Sequence, residues 1–200
     1  MVKYKIGIFG SSIRESKDIY ERLRRLGEYL ADQNVILVTG AGPGVPYEVA
    51  SVAYRKNRTE IWGFSPTRNL EEQMASTKGY DNSIYSRMFY IPDIFEFSSN
   101  IEVSRKYRNV LSTAVCDAGI IIAGRWGTLN EFTNLYDMGK VIGVMIGTGG
   151  ASDVIQHISS KIKKQSKATV RFNSVPEDLA QQIIDEIKKR RVKGDYTPLQ

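Results

Sequence analysis

Short apolar runs alternate along this chain with longer stretches in which apolar positions return every three or four residues. The runs YKIGIF from Tyr4, VILVT from Val35, EIWGF from Glu60, MFYIP from Met88, AGIII from Ala118, KVIGVMI from Lys140 and TVRF from Thr169 predict strands. Between most of them, residues 14–32, 46–57, 101–115, 128–138, 152–165 and 176–191 have the spacing of amphipathic helices. Strands alternating with helices, joined by right-handed crossovers, predict an α/β fold: a doubly wound, mostly parallel, Rossmann-like sheet with helices on both faces. The interval 66–100 is less regular, with Tyr80, Tyr85, Phe89 and Tyr90 among polar residues. Two readings stay open there, a lid over a pocket or an excursion with its own small cluster.

Length and composition narrow the class. With 200 residues, 42% of them hydrophobic, the chain can build one well-buried core and is short for two. A single domain over 1–192 is expected, followed by a flexible tail at 193–200. No apolar run approaches the roughly 20 residues that cross a bilayer, and MVKYKIGIFG enters a strand pattern directly, so a cytoplasmic protein with no membrane partner is expected. Cys116 is the sole cysteine, which leaves no intrachain disulfide and no cysteine-built zinc site; it is expected to pack as a small buried hydrophobe. His157, the sole histidine, lies in a polar helical stretch, which argues against a metallohydrolase and a Ser-His-Asp hydrolase. The net charge of +6 invites a nucleic-acid reading. Much of it, however, sits in KIKKQSK and IKKRRVKG, where cations also favour helix C-termini and solvation, so nucleic acid is the weaker partner reading.

In open parallel sheets ligands bind beyond the carboxyl ends of the strands, which puts the weight on three loops. In GIFGSSIRES, Gly10, Ser11 and Ser12 offer small residues and free N–H groups to an anion, while Ser12 and Glu15 also form an S-x-x-E capping box. In VTGAGPGVPYEVA, Gly40, Gly42 and Gly44 stand between a strand and a helix, suited either to close approach of a ligand or to tight turning. The third, IIIAGRWGTLNEF, places Arg125 and Trp126 between Gly124 and Gly127, and its Thr128 and Glu131 again read as a capping box. Upstream, SRKYRNVLSTAVCDAG predicts a helix that delivers Arg105, Arg108 and Asn109 to the same end of the sheet. A carboxylate at a helix start, arginines and a row of backbone donors suit a phosphorylated substrate.

The ordered set GSS, TGAGPGVPYEVASVAY with TEIWGFSP, and RNVLSTAVCDAGIIIAGRWGTLNEF, spanning about residues 4–147, resembles the LOG (Lonely Guy) family of cytokinin-activating nucleotide phosphoribohydrolases. That family carries an R-K pair, then an Asp and an apolar strand, then P-G-G-x-G-T-x-x-E. Its arginine lies nine residues before the Asp, and counting back from Asp117 lands on Arg108, with Asn109 where the family has lysine. Gly127, Thr128 and Glu131 keep the G-T-x-x-E ending, whereas Ala123 replaces the proline and Arg125 the second glycine, which implies an outlying branch.

The resemblance implies a hydrolase of the N-glycosidic bond of a nucleoside 5′-monophosphate of purine or cytokinin type. Arg108 and Glu131 are then the catalytic residues. Gly10, Ser11, Ser12, Gly42, Gly44, Asn109 and the stretch Gly124, Arg125, Trp126, Gly127 and Thr128 form the nucleotide-binding set, and no metal or organic cofactor is required. It also implies a homodimer or larger assembly. Arg125 suits a charge-assisted phosphate contact and Trp126 stacking on a base or packing under a lid. The same bulky pair equally suits a pocket closed to chemistry, that is, a nucleotide-binding or sensing protein.

Overall fold

A computed structural model describes residues 3–194 apart from Arg14 and Lys163. The expected tail lies, from residue 195 onward, outside the described residues. The elements follow in the order β1 (Tyr4–Gly10), α1 (Lys17–Ala31), β2 (Val35–Thr39), α2 (Val45–Asn57), β3 (Glu60–Phe64), α3 (Leu70–Ser76) and a 3-10 turn (Asn82–Ile84). Then come β4 (Arg87–Phe89), α4 (Ile101–Val115), β5 (Ala118–Ile122), α5 (Trp126–Asp137), β6 (Val141–Met145), α6 (Gly150–Lys161), β7 (Thr169–Asn173) and α7 (Pro176–Val192).

Every position of β2, β5 and β6 is buried, as their unbroken apolar runs require of strands covered on both faces. All seven strands pair in parallel in the order β4-β3-β2-β1-β5-β6-β7. The order reverses between β1 and β5, where the chain leaves the sheet edge at β4, crosses back through α4 and restarts. One face of the sheet packs Ile6, Ile8 and Leu37 against Leu26 of α1, Val49 of α2 and Ile183 of α7. The other packs Phe9, Ile121 and Val144 against Phe132 and Leu135 of α5 and Ile155 of α6. This is the doubly wound Rossmann-like arrangement predicted from the alternation of elements.

Two local expectations are corrected. The proposed Ser12–Glu15 capping box does not form: α1 starts later, with Ser16 at its N-cap accepting from the Ile19 N–H at 3.4 Å. Nor does Thr128 cap α5, which begins at Trp126 with Arg125 in the cap position and no side-chain capping bond. Thr128 and Glu131 are therefore interior residues of α5, both buried. The interval 66–100 holds a short helix, a 3-10 turn and an edge strand, and its aromatics pack on β3 and α2. Phe89 stacks on Phe64 at 4.4 Å between centroids, and Tyr80 meets Tyr47 edge-on at 4.8 Å. Fully buried Gln73 ties this excursion to the sheet by donating to the Ala41 carbonyl at 2.6 Å while accepting from the Ser65 hydroxyl.

Candidate functional site

A cleft of ≈ 640 Å³ opens along the carboxyl ends of β3, β2, β1 and β5, across the point where strand order reverses. With strands about 4.8 Å apart, three spacings make it roughly 14 Å long. The sequence-predicted residues Gly10, Ser11, Ser12, Gly42, Arg108, Asn109, Arg125, Gly127, Thr128 and Glu131 all line it. Gly40 and, on the far wall, Pro66, Thr67, Ser76 and Thr77 join them. The far wall comes from the irregular interval that the sequence left open as a lid, and Gln73 reaching the Ala41 carbonyl beyond β2 brings it to the cleft.

The first loop is built by close approach. A Cβ on Gly10 would meet the Ile122 carbonyl at 2.3 Å, so its lack of a side chain lets the ends of β1 and β5 come together. The Ser11 N–H donates to the same carbonyl at 3.3 Å. Gly44 has φ +88, and a Cβ there would press on the Ser11 carbonyl at 2.3 Å. It is a buried support under the first loop and is not among the cleft-lining residues.

The third loop spends its carbonyls inward. Ala123 and Gly124 have φ +51 and +92, and their carbonyls accept from the Ser152 and Ala151 N–H groups of α6 at 3.2 and 2.8 Å. Thr128 packs over Gly124, where a Cβ would lie 2.2 Å from the Thr128 hydroxyl oxygen. Gly124 thus shapes the turn without lining the cleft. Arg125 reaches across the mouth and donates from Nη2 to the Ser12 hydroxyl at 3.1 Å. Trp126 is 82% exposed at the outside of the loop, neither under a lid nor in the lining.

Two largely buried charged groups face each other in the cleft. Arg108, on α4, and Glu131, on the second turn of α5, approach to 3.6 Å between Nη1 and Oε1, with side chains 16% and 9% exposed. Burial pushes the Glu131 carboxyl up to about 7, against the opposing pull of Arg108 and Lys106. Burial also holds the Arg108 guanidinium below the usual arginine range, partly offset by Glu131, and its Nε is buried without a hydrogen-bond partner. Room for that guanidinium comes from Gly40, where a Cβ would sit 1.9 Å from Nη1. Asn109 is 4% exposed. In the amide orientation that satisfies its neighbours, it donates to Glu131 Oε1 at 3.2 Å and to the Arg105 carbonyl at 3.0 Å. A neutral donor therefore stands beside the carboxyl.

Outside the cleft, Cys116 is a buried thiol donating to the Ser112 carbonyl at 2.9 Å, its pKa raised by burial, and His157 is exposed on α6. Among the described residues there is no cluster of three or more His, Cys, Asp and Glu able to hold a metal, and no helix is long and apolar enough to cross a membrane.

The model of the SLOG cluster4 family matches residues 3–180. No curated protein matches the chain. Among solved structures, the protein TM1055 is similar at 20% identity and a TM-score of 0.70, covering 92% of this chain and 99% of that one. A molybdenum cofactor binding protein from the phototrophic bacterium Rippkaea orientalis is similar at 17% identity and a TM-score of 0.65, covering 94% and 99%. DNA processing protein A from Helicobacter pylori, described with a single-stranded DNA binding mode, is similar at 16% identity and a TM-score of 0.61, covering 93% and 81%. At these identities the likenesses carry the Rossmann-like fold. With the family match over nearly the whole chain, the doubly wound sheet and the cleft at its strand-order reversal, the chain belongs to the LOG-like SLOG cluster4 family.

Proposed function

We propose that the protein hydrolyses the N-glycosidic bond of a nucleoside 5′-monophosphate, releasing free base and ribose 5-phosphate. The observation that carries this reading is the partly enclosed Arg108–Glu131 pair inside the cleft, a cation and a carboxyl of raised pKa held 3.6 Å apart. The lining has four cations, Arg105, Lys106, Arg108 and Arg125, and two carboxyls, Glu102 and Glu131. The excess of two positive charges suits a doubly ionised phosphate. The phosphate sits by Ser12, Arg125 and the Gly127–Thr128 turn, and the base points toward the Pro43, Pro66 and Thr67 end. As the bond from C1′ to the base nitrogen breaks, a water oxygen bonds to C1′. Glu131 orients that water and opposes the oxocarbenium-like charge; a proton from the water passes by way of the carboxylate to the departing nitrogen. Arg108 fixes the carboxylate and draws the phosphate inward.

A binding protein without this chemistry is the second reading, favoured by one observation: Arg125, in place of the family's glycine, bridges the cleft mouth to Ser12. The structural likeness to a cofactor-binding and a DNA-binding protein is compatible with it. Both readings take a nucleotide as ligand and suit a cytoplasmic setting. A homodimer or larger assembly goes with them, supported by the exposed apolar side chains Val110 and Leu111 of α4 and Trp126 of α5.

The deciding measurement is chromatography of free base from a panel of nucleoside 5′-monophosphates, with Glu131→Gln alongside. Glutamine keeps the volume and the hydrogen bond to Asn109. Base release by the parent protein and its loss by at least a thousandfold in Glu131→Gln is the expected result. Nucleotide-induced thermal stabilisation with no release would establish the binding reading instead.

A further inference from the structure

A second charged hollow lies at the opposite end of the sheet. Asp117 directly precedes β5 and Lys140 directly precedes β6, so the hollow opens where the strands begin, whereas the cleft opens where they end. Its volume is ≈ 550 Å³, within the roughly 300–1,000 Å³ range of small-ligand sites. Lys140, Lys167, Lys189, Arg190 and Lys193 converge on it.

The two acids of the hollow are matched from within the protein. Glu186 lies 3.4 Å from Arg171 and 3.5 Å from Arg190. Asp117 accepts the Lys5 N–H at 2.7 Å and stands in the field of Lys5, Lys140 and Arg191. Lys167, Lys189 and Lys193, by contrast, have no carboxylate within ion-pair distance among the described residues. Cations in the last turn of α7 also complement its carbonyl end, which accounts for Lys189 and Arg190. It does not account for Lys167, which arrives from the segment before β7. Nor does it account for Arg190 donating to both the Gly139 and Lys167 carbonyls at 2.7 Å, which pins that second basic segment to the rim. The five cations of the hollow outnumber its two carboxylates by three charges, and a ligand bearing about three negative charges balances that excess.

We propose that this hollow is a second binding site, taking a compact ligand that carries an oligophosphate group. The test is calorimetric titration with inorganic tripolyphosphate, and with ATP in a parallel arm. Because the front cleft is also cationic, the titration is done in an Arg108→Met/Arg125→Gly background. Binding is expected to persist there, to weaken at least tenfold when Lys167→Glu/Lys193→Glu is added, and to stay within twofold when the control pair Lys17→Glu/Lys56→Glu is added instead. The neutral pair Lys167→Ala/Lys193→Ala should weaken it as well, without introducing new repulsion with Glu186. Equal affinity for the two probes would identify the phosphate chain as the recognised group, and tighter ATP binding would add the nucleoside. No binding in the front-cleft background, or equal loss with the control pair, would overturn the proposal.

Discussion

At the scale of single residues, Glu131 is the titratable group on which most turns. Its carboxyl is raised from an ordinary value of 4.5 to about 7 because the site removes it from water more than Arg108 compensates. A carboxyl of raised folded pKa favours the folded state most below its unfolded value, and that contribution is lost as pH rises through about 7. Carbon-13 NMR of the carboxyl is expected to give a midpoint near 7, and Arg108→Met to move it upward, since the guanidinium pulls it down. A midpoint near the ordinary value in the parent protein would remove the burial argument. Gly40→Ala is the companion test at this scale. Its Cβ would displace Arg108 Nη1, so turnover should fall at least tenfold and the Glu131 midpoint should rise. Urea unfolding should show a loss of more than about 1 kcal/mol, because the displaced guanidinium is buried and paired with Glu131.

At the scale of elements, the position of a helix start decides what its polar residues do. The sequence offers Ser12 as a cap for α1 and Thr128 as a cap for α5. The structure caps α1 with Ser16 and leaves Ser12 beside Arg125. Urea unfolding is therefore expected to show Ser16→Ala costing about 0.5–2 kcal/mol, and Ser12→Ala less than about 0.5 kcal/mol, as for a surface change away from a cap. The same logic bears on Glu131. Because α5 begins at Trp126, the carboxyl sits a full turn inside the helix and turns onto α4. It is thereby released from capping and available to Arg108.

At the scale of the whole molecule, the cleft exists because four strand ends, two helices and the 66–77 excursion meet at the reversal of strand order. The Arg125–Ser12 contact joins residues 113 apart in sequence and closes the mouth between the first and third loops. If Arg125 is a phosphate ligand, Arg125→Gly should raise KM for the monophosphate by about 10- to 100-fold, the worth of one charge-assisted hydrogen bond, with kcat little changed. Separate measurement of kcat and KM checks this; a gain in kcat would mark the side chain as an obstruction.

The sequence by itself determined the strands, the long helices and their alternation. Each signal there is local: unbroken apolar runs for strands such as Ala118–Ile122, three-to-four spacing for the helices, small residues at the strand ends, and the Arg108 to Glu131 spacing carried by the family resemblance. Only the tertiary structure decided which of those small residues line the cleft. Gly44 and Gly124 became supports because neighbouring loops pack onto the space their missing side chains leave, while Gly40 became the seat of an arginine 68 residues away. For the wall from Pro66 to Thr77 the sequence left a lid and a plain excursion both open, since its place depends on Gln73 reaching the Ala41 carbonyl. Hydrophobic periodicity is written in neighbouring residues, whereas burial, proximity and the proton affinity of Glu131 arise from groups brought together only when the chain closes on itself.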